Sequence, residues 1–60
     1  MSNSLKQLEL ARIELEKRGI PADTSIEIAS LFEWGETEED VPHIANIVAT
    51  IYGSIFPARA

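Results

Sequence analysis

Three breaks decide what this chain can build. Gly19-Ile20-Pro21, Gly35 and Pro57 cut an otherwise helix-forming sequence into three short pieces. Good helix formers fill the first piece, and apolar residues recur at three- and four-residue spacing in the third. Ile26 and Ile28 alternate with Ser25, Glu27 and Ala29 as a strand would, but a lone strand has nothing to pair with. The expected fold is all-α. Helices are predicted over about residues 4–18, 24–34 and 41–56 of a single domain, 1–60, joined by tight turns, antiparallel where adjacent and packed as a helical homo-oligomer with the third helix central.

The ends of these helices are written in short signals. Ser4 and Gln7 fit a capping box, in which hydroxyl and amide satisfy each other's first-turn backbone donors. Gly19 can take the left-handed conformation that stops a helix, Ile20 can fold back on Leu15, and Pro21 disfavours helical geometry before it. Thr24 and Glu27 repeat the capping-box pattern, with Asp23 as a rival cap. Glu36-Thr37-Glu38-Glu39-Asp40 is an acidic connection suited to the positive end of the next helix. Either Thr37 or Asp40 can cap that helix. Asp40 is favoured because it places Pro42 where no helical donor is lost.

The third helix carries the longest apolar stripe: Val41, Ile44, Ile47, Val48, Ile51 and Ile55. Ala45, Ala49, Tyr52 and Phe56 run beside it, and His43, Asn46, Thr50, Gly53 and Ser54 make a polar but uncharged remainder. Gly53 weakens the helix or marks the approach of another backbone. On the first helix, Leu5, Leu8, Ala11 and Leu15 form the expected core stripe, while Leu10 and Ile13 make a second patch on the other side. The second helix is apolar around most of its circumference, which calls for enclosure by neighbours.

These apolar faces exceed what so short a chain can cover. A domain of this length hides only about 60% of the surface its unfolded chain exposes. Small domains compensate with disulfides, a metal or a partner. There is no cysteine and only one histidine among the 60 residues, so neither a disulfide nor a structural zinc is available. Association is the remaining route.

Composition also narrows the function. The net charge is -5, with 10 acidic against 5 basic residues, and four of the basic ones, Lys6, Arg12, Lys17 and Arg18, are interleaved with Glu9, Glu14 and Glu16. Nucleic-acid binders present a basic face instead. The first residues lack the order of a signal peptide. The uncharged stretch 41–58 is interrupted by Pro42, His43, Asn46, Thr50, Ser54 and Pro57, unlike a membrane span. A cytoplasmic location fits these features. The acidic run lacks the alternating ligands and central glycine of a calcium loop. His43 has Asp40 within reach but no nucleophile, and no phosphate loop or nucleophile elbow occurs. No catalytic residue, cofactor or metal site is expected.

The sequence therefore points to a small acidic interaction module, an adaptor or inhibitor that binds itself and another protein. The residues expected at its interface are Leu10, Ile13, Trp34, Glu36, Glu38, Glu39, Tyr52 and Phe56. Trp34 has a second reading, as the residue that closes the core between the second and third helices. Two rival functions are a structural subunit of a larger assembly and an acidic mimic of nucleic acid. Ile47→Asp is expected to unfold the chain, and Leu10→Asp to leave it helical but dissociated.

Overall fold

A computed structural model of the chain describes residues 4–57, and the expectations for residues 1–3 and 58–60 lie outside them. The described residues form three helices and no strand: α1 (Leu5–Lys17), α2 (Ala22–Leu31) and α3 (Asp40–Ile55). None is long and apolar enough to cross a membrane.

Local chemistry sets both ends of α1. The Ser4 Oγ accepts from the Gln7 backbone N–H at 3.1 Å, and Gln7 Oε1 accepts from the Ser4 N–H at 3.0 Å, completing the capping box. At the other end Gly19 has φ +95°. Its N–H donates to the Glu16 carbonyl at 3.0 Å, and the Ile20 N–H reaches back to Leu15 at 3.2 Å. These two bonds are a Schellman motif, and Ile20 and Leu15 both sit in the core cluster, as that motif favours. The turn reverses the chain within four residues.

α2 begins earlier than its sequence suggests. Pro21 stands at its N-cap, and the Ser25 N–H donates to the Pro21 carbonyl at 2.8 Å. The Thr24–Glu27 capping box is not the start of the helix, because proline's fixed φ already sets the first turn two residues before Thr24. The Ser25 hydroxyl is fully buried and donates to the Ile20 carbonyl at 3.2 Å. α2 also stops earlier, at Leu31, where Phe32 turns extended with ψ 156°.

Trp34 therefore lies outside the helix and folds back beneath it. Its indole N–H donates to the Ala29 carbonyl at 2.9 Å. That carbonyl lies in the last turn of α2, where helix geometry leaves acceptors without a partner. The side chain that fills the core thus also caps the helix. Of the two readings of Trp34, the structure places it in the core, with none of its surface exposed.

A single glutamine ties the next loop to α1. Gln7 Nε2 donates to the Gly35 carbonyl at 2.8 Å, with the Trp34 and Thr37 carbonyls at 3.5 and 3.4 Å. Gly35 has φ +86°, and a Cβ there would lie 2.5 Å from that of Asp40. The close approach exists because the Asp40 carboxylate turns back to accept from the Glu36 and Thr37 N–H groups, at 3.1 and 3.2 Å. Asp40 is thus the first residue of α3 and a brace for its approach loop rather than its N-cap. Glu39 holds the cap position without a side-chain bond.

Within the single chain, α1 lies between the other two helices. It packs against both α2 and α3, which do not pack on each other. The loop before α3 is held at the N-terminal turn of α1, while Asn46 meets Arg18 at its C-terminus through a 2.8 Å bond. α3 therefore runs in the same sense as α1, and α2 returns against it. Alanines line the contacts: Ala11 of α1, Ala29 of α2 and Ala45 of α3 are buried, with Leu15, Ile20, Trp34, Val41 and Val48 around them. Small residues at a crossing let helix axes approach closely.

Candidate protein-interaction surface

Burial divides the long stripe of α3 in two. Val41, Ala45 and Val48 face α1 and are buried, and Ile44, Ala49 and Tyr52 pack partly against the same cluster. Ile47, Ile51 and Ile55 do not. They are 61%, 54% and 61% exposed, one turn apart on a face that no other helix covers. Ile47, which the expected unfolding by Ile47→Asp takes for core, is therefore on the exposed side. With α2 packed on α1 alone, α3 has one neighbour, and one neighbour can cover only part of an apolar sector spanning about half the cylinder.

Similar excess appears elsewhere. Leu5 is 85% exposed, so the core stripe of α1 is Gln7, Ala11 and Leu15, with Leu8 half-buried. Ile26, Leu31 and Phe32 are also exposed. Ile26 forms one wall of an open groove between α1 and α2, opposite Leu8, Glu9 and Arg12. Ile26 lies apart from Leu31 and Phe32 at the C-terminal end of α2, whereas the isoleucines of α3 form one strip.

The structure separates the residues expected at the interface. Leu10 is half-buried and packs on the core cluster, so it is not a free patch with Ile13, which is also half-buried. Leu10 sits there because α3 comes to lie on its side of α1. Trp34 is enclosed and presents nothing to a partner. Glu36, Glu38 and Glu39 are exposed beside Gln7 and Ser4 around a polar hollow at the start of α3. Tyr52 and Phe56 stack with ring centroids 5.1 Å apart. Together with Ala49, Gly53 and Pro57 they face the Arg18–Pro21 turn across an open groove. A Cβ on Gly53 would meet nothing within 4 Å, so no backbone approaches it.

No known protein family, characterised protein or solved structure matches this chain.

The surface charges follow a simple arrangement. On α1, Glu14 bonds Arg18 at 2.6 Å and lies 3.7 Å from Lys17, and Arg12 pairs with Glu16 at 3.0 Å. The Arg18 hydrogen bond holds the Glu14 carboxyl below its usual range against the opposing effect of burial, with help from the charges of Lys17 and Arg18. Arg12 and Lys17 of α1, and Arg18 at its C-cap, are thus engaged with acids of α1. Glu36, Glu38 and Glu39 of the α2–α3 connection are exposed, while α3 after Asp40 bears no carboxylate or basic side chain other than His43.

Sequence reasoning missed the isoleucine strip as the free face and missed Gln7 as a long-range tie. The strip had a signal: no charge interrupts residues 41–58 on any side of the helix. A solvated helix in a chain one-quarter charged would normally carry some.

Proposed function

We propose that this protein is a small acidic interaction module that works by docking on protein surfaces, its own included, and catalyses nothing. The observation that carries the reading is the row Ile47, Ile51 and Ile55, which lies outside the core on a helix that bears no Asp, Glu, Lys or Arg after Asp40. Contiguous apolar surface of this kind is a liability in water unless it is covered. Apolar contact supplies the adhesion, and the exposed Glu36, Glu38 and Glu39 select partners with basic or polar rims. The grooves between helices are open and shallow, which suits docking better than the enclosed pocket a reaction needs.

As an adaptor or inhibitor, the module would retain a defined protein from an extract of its own cells. Retention is expected to survive about 0.5 M salt, because apolar contacts are not screened as exposed charges are. It is expected to disappear when Ile47 and Ile51 are both replaced by Asp. If the wild-type protein retains nothing beyond what that double variant retains, the proposal fails.

A further inference from the structure

We infer that the occupant of the α3 strip is a second copy of this chain, packed antiparallel so that α3 pairs with α3 about a two-fold axis near Thr50. The inference rests on the reading of the protein as an interaction module and names one partner and one surface for it.

Shape and polarity fit a second copy, and charge fixes how it lies. The first of these is shape. Asn46, Ile47, Thr50 and Ile51 surround a shallow hollow on the free side of α3, a four-residue hole of the kind that receives one side chain of a facing helix. Ile51 of a second copy fits that hole, and two-fold symmetry makes the exchange reciprocal. With the axis between Ile47 and Ile51, just before the level of Thr50, Ile47 faces the partner's Ile51, and the exposed Ile55 reaches the level of the partner's half-buried Ile44.

The second is polarity. The Thr50 hydroxyl at the rim already donates to the Asn46 carbonyl at 2.8 Å, and Asn46 Oδ1 already accepts from Arg18. Burying a hydroxyl whose hydrogen bond is satisfied avoids most of the desolvation cost. Apart from the Asn46 amide N–H groups at its rim, the face offers a partner apolar contact, which another copy of the same face supplies.

The third is charge. Each chain carries -5, and Glu36, Glu38, Glu39 and Asp40 sit at the start of α3. A parallel pair would bring both acidic clusters together. The antiparallel pair separates them by the length of the 16-residue helix, about 24 Å and more than two Debye lengths at 0.1 M salt. Charge therefore sets the orientation.

The strip and its polar rim amount to roughly 500 Å² on each copy, so the pair buries about 1,000 Å² in all, at the threshold for a specific interface.

Sedimentation equilibrium between about 1 and 500 µM is expected to take the wild-type mass from one chain to two. Ile51→Asp should stay at one chain throughout with unchanged helical circular dichroism, since Ile51 is 54% exposed in the single chain. The chain has no cysteine, so added ones report the geometry. Ile51→Cys, on the strip beside the axis, should oxidise readily to a covalent dimer. His43→Cys should not, because the two positions lie about 20 Å apart in this register. A wild type that remains one chain at 500 µM overturns the inference, as does an Ile51→Asp protein that still pairs. Equal cross-linking of both cysteine variants overturns the antiparallel arrangement. A single-chain wild type that still retains another protein from extract would defeat the dimer alone, whereas one that retains nothing would defeat the module reading too.

Discussion

Replacing Trp34 with alanine tests how the short connection after α2 holds the molecule together. The side chain is fully buried, and its indole N–H is bonded to the Ala29 carbonyl at 2.9 Å. Emptying a site of this size costs about 3–5 kcal/mol. A 60-residue domain has only about 3–9 kcal/mol in total. The alanine variant is therefore expected to be largely unfolded. Trp34→Phe keeps most of the ring but leaves the carbonyl without its donor, and should cost about 1–3 kcal/mol. Leu31→Ala is the control, because Leu31 is 79% exposed and such positions change stability by roughly 0.5 kcal/mol at most. Urea unfolding followed by far-ultraviolet circular dichroism reads all three, since Trp34 is the only tryptophan and its own fluorescence is lost in the variants. The order should be Leu31→Ala, then Trp34→Phe, then Trp34→Ala, from least to most destabilised. If Trp34→Ala unfolds at the wild-type midpoint, the indole neither fills the core nor caps α2.

Three further perturbations bear on the same framework. Gly35→Ala places a Cβ 2.5 Å from that of Asp40 at φ +86°, and a loss of about 2 kcal/mol or more is expected in thermal or urea unfolding. Gln7→Ala removes the amide that bonds the Gly35 carbonyl; it should cost about 1–3 kcal/mol and speed hydrogen exchange of the Glu36 and Thr37 amides. The Glu14 carboxyl is held below its usual range, chiefly by Arg18. Its contribution is therefore full at and above neutral pH and is lost as pH falls through the lowered value. The stability gap between wild type and Glu14→Gln should narrow as urea midpoints are taken into that acidic range.

The sequence was most legible where structure is local. Both ends of α1 were readable because Ser4, Gln7, Gly19 and Ile20 act on backbone groups within five residues of themselves. The start of α2 was misread because two local signals competed, and Pro21 prevailed over Thr24. Its end was misread because the residue that completes it, Trp34, returns from beyond the helix. The core of α3 was misjudged for a different reason. Hydrophobicity favours isoleucine over alanine, yet the helix crossings are built on Ala11, Ala29 and Ala45, where smallness matters more than apolar area. The free side of α3 then follows from topology: α2 turned onto the other side of α1, and nothing in the periodicity of α3 encodes that choice. Tyr52 and Phe56 were identified as lying beside the stripe, but Leu10 was assigned to a free patch because the position of α3 was not yet known.

The division of α3 into a core side and a free side underlies the whole account, and two adjacent residues test it most directly. Val48 is 6% exposed and Ile47 is 61% exposed. Val48→Asp buries a carboxylate among Ala11, Leu15 and Ala45 and should abolish the helical circular dichroism at room temperature. Ile47→Asp, once expected from the stripe alone to unfold the chain, should instead keep wild-type helix content. Equal loss of helix in both variants would place Ile47 in the core and contradict the account.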